Sequence, residues 1–439
     1  MCLGELDRAA QLLQQAKVAA PSPEVRAELQ GLLVTLAEER ALLPADPTAD
    51  GAVAPRQLGK ALRKAPRTSG PGPSGSRFTH WRACQHSPTA MAALGDVVNK
   101  VASGRVPAAA AAGLARTGLT PLREKSGRLR PGAAGEALRR LTGKALAAEN
   151  AAALAEAAGP SQFGVGTPGG TEALSHAVQV ESARKPQAAF LALDLRNAFP
   201  SLDRDAVLAA VQQRAPELLP YARLFLGRRS YFRYVAGNGQ GEALHADQGV
   251  DQGDPLAPAF LAVTLRGPLE RLEARLRELL EEEGWEPAAA ADAVRVRAYL
   301  DDILVRVPDT LAARVPAEAA AAVAPVGAEL DSAKTQLWRA QGGCPTGCEG
   351  WWQPAGFELL GGPLADEEEL TAGAALLGTT GFVDAFLAAK LQRIEALEAH
   401  GGRGGAALAA GSERHSPPPH LRARPPRAPD AAPRPRGHG

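Results

Sequence analysis

The chain has 439 residues and a formal net charge of +1, from 49 Lys and Arg against 48 Asp and Glu. This length allows two or three domains, and the near balance of charge gives no bulk electrostatic sign of a nucleic-acid partner. Four cysteines in so long a chain exclude the class of small disulfide-stapled proteins. We find no secretory pattern and no apolar run of membrane-spanning length, so we expect a soluble intracellular protein.

The N-terminal part of the chain has helical patterning interrupted by loops. Apolar residues recur at three- and four-residue spacing within residues 1–45, and SGPGPSGS at Ser69–Ser76 predicts a loop. Ala-rich sequence at Thr89–Ala112 predicts further helix. LREKSGRLRPG at Leu122–Gly132 predicts a hairpin loop with a basic rim, and one helix is expected to follow it from Gly135.

The centre of the chain predicts strands that end in acidic residues. AAFLALDL at Ala188–Leu195 is typical of a buried strand, and VRVRAYL and ILVRV flank Asp301-Asp302 as two strands around a tight acidic turn. Between them, the Gly/Pro-containing stretch from Gly249 predicts a loop that leads into a helix, followed by a separate charged helix. A last amphipathic helix is expected around Phe382–His400.

Asp194, Asp301 and Asp302 are the best candidates for a metal site. Nucleotidyl transfer uses two divalent ions, and Mg²⁺ prefers hard oxygen ligands such as carboxylates. An Asp at a strand end is more often a turn or cap residue, which is the simpler interpretation of Asp194. Adjacent aspartates at a hairpin tip are less ordinary, because like charges repel and Asn-Gly or Asp-Gly is preferred there.

Several segments, in chain order, resemble the signature motifs of reverse transcriptases, especially those of non-LTR (LINE-type) retrotransposons. The central motifs are DLRNAFPSL (Asp194–Leu202), QGDPL (Gln252–Leu256) and AYLDD (Ala298–Asp302). The flanking segments that fit the same family are PGPSG (Pro71–Gly75), RLRPGAAGEALRR (Arg128–Arg140), LDSAKTQL (Leu330–Leu337) and FELLGGPL (Phe357–Leu364). Together the resemblance covers roughly residues 60–398.

The resemblance implies an α+β, right-hand polymerase fold. The domains it implies are an N-terminal helical extension (1–54), fingers (55–187), a palm with the catalytic core (188–365), a partial thumb helix (366–400) and a disordered basic Pro/Arg-rich tail (401–439). Beyond His400 the sequence no longer resembles a thumb, so we expect a truncated thumb and weakened grip on primer-template. The tail could instead bind phosphates non-specifically.

The resemblance also implies roles for individual residues. Asp194, Asp301 and Asp302 would be catalytic and would bind two Mg²⁺ ions, with Mn²⁺ as an alternative ion. The residues placed around the nucleotide are Phe199 as an aromatic gate against the 2′-hydroxyl, Gln252 and Gly253 in a close-packed loop, Arg130 and Arg139 as grips on the triphosphate, and Lys334 beside it. The residues placed against the primer are Leu360, Gly361 and Gly362.

The function implied is RNA-directed DNA synthesis, with an RNA template, a DNA primer and deoxynucleoside triphosphates as partners. No membrane and no obligate protein partner is implied, and nuclear localisation is expected because such polymerases act on chromosomal DNA. The alternative is a degenerate, inactive nucleic-acid-binding remnant. An RNA-dependent RNA polymerase is a weaker candidate. That group more often has Gly before the paired aspartates, where this chain has Leu300, and it lacks a bulky gate at the position of Phe199.

Two other patterns in the sequence suggest a binding site. GVGTPG at Gly164–Gly169 formally matches a dinucleotide-binding fingerprint, but the sequence before it is Ala-rich and helix-like rather than a strand. Cys344 and Cys348 form a C-x3-C pair, for which zinc would need two further ligands that only distant histidines could supply. Whether these cysteines bind a metal stays open.

Overall fold

The protein is described by a computed structural model, in which the residues described are 17–37, 52–123, 127–235 and 241–365. The expected thumb helix and basic tail lie outside these residues, as does much of the N-terminal extension. Among the described residues, the model contains no helix that is both long enough and apolar enough to cross a membrane.

The described chain alternates helices with short strands. The α-helices are α1 (Pro23–Leu32), α2 (Pro55–Lys64), α3 (Phe78–Arg82), α4 (Pro88–Ala102), α5 (Ala108–Ala115), α6 (Ala137–Glu149), α7 (Ala151–Ala158), α8 (Gly170–Arg184), α9 (Ala198–Ser201), α10 (Arg204–Arg214), α11 (Leu219–Leu226), α12 (Ala257–Glu282), α13 (Pro287–Ala293), α14 (Asp309–Ala312) and α15 (Val315–Val323). The strands are β1 (Lys17–Val18), β2 (Thr117–Arg123), β3 (Leu129–Gly135), β4 (Ala189–Leu193), β5 (Ser230–Val235), β6 (Gly241–Ala246), β7 (Arg295–Tyr299), β8 (Asp302–Val307), β9 (Gln336–Trp338), β10 (Phe357–Leu359) and β11 (Gly362–Leu364). Short 3₁₀ turns cover Ala83–His86, Pro216–Leu218, Ala324–Val326 and Ser332–Lys334.

The first sheet is built on β2, which pairs antiparallel with β1 and β3 and parallel with β5, while β6 extends the sheet beyond β5. Burial alternates along β5: Phe232 and Tyr234 are buried, whereas Tyr231 and Val235 are exposed. The buried face packs against α1, as the period of two along a strand requires. Helix α1 begins at Pro23 and is capped by Ser22, whose hydroxyl accepts the Val25 N–H at 3.2 Å.

The second sheet has the order β7-β8-β4-β9 and is antiparallel throughout. Alternate side chains of the buried strand β4 enter two different cores. Leu191 and Leu193 join the large core that α12 covers, whereas Phe190 packs with Trp338 and with α8 and the β10–β11 hairpin. Because β4 is covered on both sides, its sequence is almost continuously apolar.

The α+β class predicted from the sequence is confirmed, with some differences in its elements. The helix expected from Gly135 is two helices, α6 and α7, separated at Asn150. The two helices expected after Gly249 are instead one, α12, which continues through the buried Pro268. The dinucleotide fingerprint follows helix α7 rather than a strand, and the strands β7, β8, β4 and β9 pair with one another only antiparallel. The dinucleotide-binding interpretation therefore fails.

Candidate active site

The three predicted aspartates lie at one end of the second sheet. Strand β4 ends at Leu193, which pairs with Ile303 of β8, so Asp194 follows directly beside the start of β8 at Asp302. Tyr299 pairs with Asp302, which makes Leu300 and Asp301 the two-residue turn between β7 and β8. The turn is thus one residue earlier than the acidic pair suggested, and Asp302 is the first residue of a strand.

The surroundings of the acidic turn disfavour full ionisation. Burial raises the pKa of Asp301, with a further contribution from the charge of Asp194; Arg130 and Lys334 oppose the shift. Asp302 is exposed by surface area, yet partial desolvation of its carboxyl, together with the charges of Asp301 and Asp194, raises its pKa to about 6. Close carboxylates that repel one another in this way favour a bound cation.

Lys334 supplies one positive charge at this end of the sheet. Its Nζ lies 2.6 Å from Asp194 Oδ2 and 3.8 Å from Asp331 Oδ2. The segment is fixed to the strand end by the Asp331 N–H, which donates to the Asp194 carbonyl at 2.8 Å. The structure therefore brings Lys334 and the charge of Arg130 close to the aspartates.

We expect Asp302→Asn to stabilise the metal-free protein at pH 8 and to change its stability little near pH 4. A folded-state pKa of about 6 lies above the ordinary value of about 3.9, so the stability contributed by protonated Asp302 is present below pH ~4 and is lost as pH rises through 6. Asn mimics the protonated form at every pH. Denaturant unfolding of both proteins from pH 4 to pH 8 measures the difference between their free energies of unfolding. A difference that narrows as the pH rises would contradict the prediction.

A cavity of about 450 Å³ opens beside the aspartates. Its walls include Asp194, Asp302 and Lys334, together with Leu360 from the turn of the β10–β11 hairpin. Leu360 and Gly361 form that turn, both with positive φ (51° and 87°), and Gly362 begins β11. Leu360 of the predicted primer-contacting turn and two of the three predicted metal ligands, Asp194 and Asp302, therefore line one cavity.

Phe199 and the loop at Gln252–Gly253 also come together. The Val250 N–H donates to the Phe199 carbonyl at 2.8 Å, two residues before Gln252. Gln252 is exposed, and Gly253 lies so close to β3 that a Cβ built on it would be 1.9 Å from the Ala133 carbonyl oxygen. The need for glycine here arises from this approach to β3, not from positive φ.

Arg139 is placed differently from the prediction. Its side chain is 5 % exposed and forms ion pairs with Asp251 at 3.0 Å and Asp254 at 2.9 Å. Its guanidinium also lies 4.4 Å from the ring centroid of Phe225. Burial alone would lower the pKa of Arg139, but the charges of both aspartates outweigh it and raise the pKa. Arg139 therefore holds the loop at residues 251–254 from inside the protein, and its burial disagrees with the predicted role as a grip on the triphosphate.

Sequence reasoning missed the two carboxylates of this network. Asp251 also accepts from the Thr117 hydroxyl at 3.1 Å, and Asp254 Oδ1 accepts the Leu256 N–H at 2.9 Å. The Tyr221 hydroxyl lies within hydrogen-bonding distance of both Asp254 and the Arg139 carbonyl. The only sequence signal was the pair of acidic residues on either side of Gln252–Gly253, whose partner is far away in the chain.

The aspartates suit Mg²⁺ by donor chemistry, since they are hard oxygen ligands whose mutual repulsion a cation relieves. Within the described ranges, however, no three His, Cys, Asp or Glu side chains are grouped closely enough to hold a metal ion. In this conformation Lys334 instead contacts Asp194. Cys344 and Cys348 likewise belong to no metal-binding group among the described residues. Burial raises the pKa of the Cys348 thiol to about 11, which disfavours the thiolate that zinc requires.

Two solved structures are similar to part of this chain. Among solved structures, apo telomerase from Candida tropicalis truncated from its C-terminal domain is similar at 12% identity, over 57% of this chain and 53% of that chain, with a TM-score of 0.41. Apo telomerase from the same organism gives 10% identity, 57% and 47% coverage and a TM-score of 0.41. The chain thus spans about half the length of these structures. The comparison with curated proteins gave no match.

The family model described as reverse transcriptase (RNA-dependent DNA polymerase) matches residues 122–364, which is more than half of the chain. The matched range runs from the end of β2 to β11 and includes the acidic turn, the Gln252–Gly253 loop and the Leu360 turn. The chain belongs to the reverse transcriptase family.

Proposed function

We propose that this chain is an RNA-directed DNA polymerase that adds deoxynucleotides to a primer 3′ end. The observation that carries the proposal is the joining of Asp194, Asp302, Lys334 and Leu360 in the walls of one cavity, with Asp301 at the adjacent turn. Acidic, basic and apolar groups that are far apart in the sequence converge there, as a site that handles a polyanionic substrate and a metal requires.

In this proposal Asp194, Asp301 and Asp302 hold two Mg²⁺ ions, which when bound activate the 3′-hydroxyl and stabilise the leaving pyrophosphate. Lys334 leaves Asp194, where it lies in this structure, and pairs with the triphosphate. Leu360 lines the same cavity, and its turn supports the primer end. Arg130, exposed on β3, remains the candidate grip on the triphosphate.

We assign the fingers to residues 55–187 and the palm to residues 188–365, and we propose a non-LTR type of reverse transcriptase. The order and spacing of DLRNAFPSL, QGDPL and AYLDD support that subtype. RNA template and DNA primer are the proposed macromolecular partners, and a nuclear location follows from action on chromosomal DNA.

Replacing Phe199 with Val should increase ribonucleotide incorporation. Phe199 is partly buried against the main core, and its carbonyl accepts a hydrogen bond from the Val250 N–H. Its backbone is therefore held close to the Gln252–Gly253 loop. Steric exclusion of the 2′-hydroxyl weakens when the smaller valine side chain replaces the ring. The ratio of ribonucleotide to deoxynucleotide kcat/KM should rise about 10-fold or more. Even one methylene more or less in a pocket changes discrimination between substrates by about 1–3 kcal/mol. An unchanged ratio would exclude the gate role.

The experiment that tests the function is extension of a DNA primer on an RNA template with Mg²⁺, run in parallel with deoxynucleotides and with ribonucleotides. Extension with deoxynucleotides supports the proposal; extension only with ribonucleotides would establish an RNA polymerase instead. Folded protein that binds primer-template equally with and without Mg²⁺, and never extends it, would establish the binding-only alternative.

A further inference from the structure

The turn that presents Asp301 has a backbone conformation that its sequence does not favour. Leu300 has φ of +55°, the left-handed region that L-residues other than Gly, Asn and Asp rarely adopt. In the two-residue turn Leu300–Asp301, only Leu300 has positive φ, which is the pattern of a turn that prefers Gly at that position. Something outside the hairpin must therefore hold Leu300 in place.

The side chain of Gln162 makes that contact. Its Oε1 accepts the Leu300 N–H at 2.7 Å and the Gly164 N–H at 2.9 Å, and its Nε2 lies 3.4 Å from the Leu300 carbonyl oxygen, to which it donates. Gln162 is 3 % exposed, so water does not compete for these hydrogen bonds. One amide thus contacts both backbone groups of the strained residue.

Gln162 is itself fixed against β7. The Phe163 N–H donates to the Ala298 carbonyl at 2.8 Å, and the Ala298 N–H donates to the Ser161 carbonyl at 2.8 Å. Next to it, Gly164 is packed so closely that a Cβ built there would be 2.8 Å from Leu300 Cγ. The segment 161–164 therefore lies along the end of the hairpin with little freedom to move.

We propose that Gln162 is a positioning residue for the acidic turn: by fixing Leu300 in the left-handed conformation, it sets the direction in which Asp301 points. The proposal rests on the proposed function, because it takes Asp301 as a metal ligand. Its partner is the Leu300 backbone, and Gln162 itself touches neither metal nor nucleotide. A misdirected Asp301 carboxylate would bind a divalent ion more weakly and lower the rate of synthesis.

The test uses Gln162→Met, which keeps the length of the side chain and removes its hydrogen bonds, in the wild-type and the Leu300→Gly backgrounds. Glycine adopts positive φ readily, so the turn should keep its shape without the amide. Gln57→Met is the matched control, because Gln57 also bonds a backbone carbonyl, that of Ala148, away from the acidic turn. Mn²⁺ binding by calorimetry and primer extension are measured on each folded variant.

In the wild-type background, Gln162→Met should weaken Mn²⁺ binding about 10-fold and lower kcat about 10²-fold, the scale of a small misplacement of a reacting group. In the Leu300→Gly background both losses should shrink to a few-fold. Equal losses in the two backgrounds, or losses no larger than those of Gln57→Met, would overturn the proposal. If Gln162→Met does not fold, Gln162→Asn takes its place under the same criteria, because it keeps an uncharged amide but draws it back by one methylene from the Leu300 backbone.

The two readouts separate this proposal from the proposed function. Wild-type protein that binds Mn²⁺ in a Gln162-dependent way but extends no primer would refute polymerase activity and retain the positioning role. Wild-type protein that extends primers, while Gln162→Met leaves Mn²⁺ affinity and kcat intact, would support polymerase activity and refute the positioning role of Gln162.

Discussion

Arg139→Met is expected to lower the free energy of unfolding at pH 8 by about 3–5 kcal/mol, the cost of leaving a buried charge without its partner. Asp251 and Asp254 have side chains that are 6 % exposed, and both are paired with Arg139. Methionine fills similar space but offers no charge, so two carboxylates would remain buried together. Denaturant unfolding of the variant and the wild type, monitored by circular dichroism, measures the loss.

The charge origin of this effect can be separated from packing. Adding Asp251→Asn and Asp254→Asn to Arg139→Met should restore much of the stability, since neutral groups in a buried network no longer need the guanidinium. A loss of stability that persists in the triple variant would show that Arg139 acts mainly through packing on Phe225.

Asp301→Asn should lower primer extension by at least about 10³-fold, the scale on which single catalytic groups act. Asn keeps the shape of the side chain and removes the charge that would bind a cation. Stability should not fall, because burial already raises the pKa of Asp301 and the neutral amide relieves that cost. Thermal unfolding of the variant checks this point, and a clearly less stable Asp301→Asn would mean that lost activity reports misfolding.

The acidic end of the second sheet was predictable because its signals are local. A run of apolar residues before Asp194 and two such runs around the acidic pair indicate strands, and the motif spacing indicates that they belong together. The sequence misplaced the turn by one residue, because no residue preference places Leu300 at positive φ. That conformation depends on Gln162, a residue 138 positions away that the sequence did not single out.

The misassignment of Arg139 has a related cause. An arginine beside a predicted basic loop suggests an exposed phosphate ligand, and its partner Asp254 is 115 residues away in the chain. Only the folded chain shows that Arg139 is buried. Helix α12 shows tertiary packing prevailing over local preference: Pro268 should break a helix, yet the apolar residues on both sides of it, such as Leu265 and Leu269, are buried in the main core and keep it continuous.

The most direct test of the central claim is single-turnover extension of a DNA primer on an RNA template with deoxynucleotides and Mg²⁺, comparing the wild type, Asp301→Asn and Asp96→Asn. Asp96 is exposed on α4, so its variant makes the same chemical change away from the acidic turn. We expect extension by the wild type and Asp96→Asn and none above background by Asp301→Asn. Near-normal extension by a folded Asp301→Asn would contradict the assignment of the metal site to this turn.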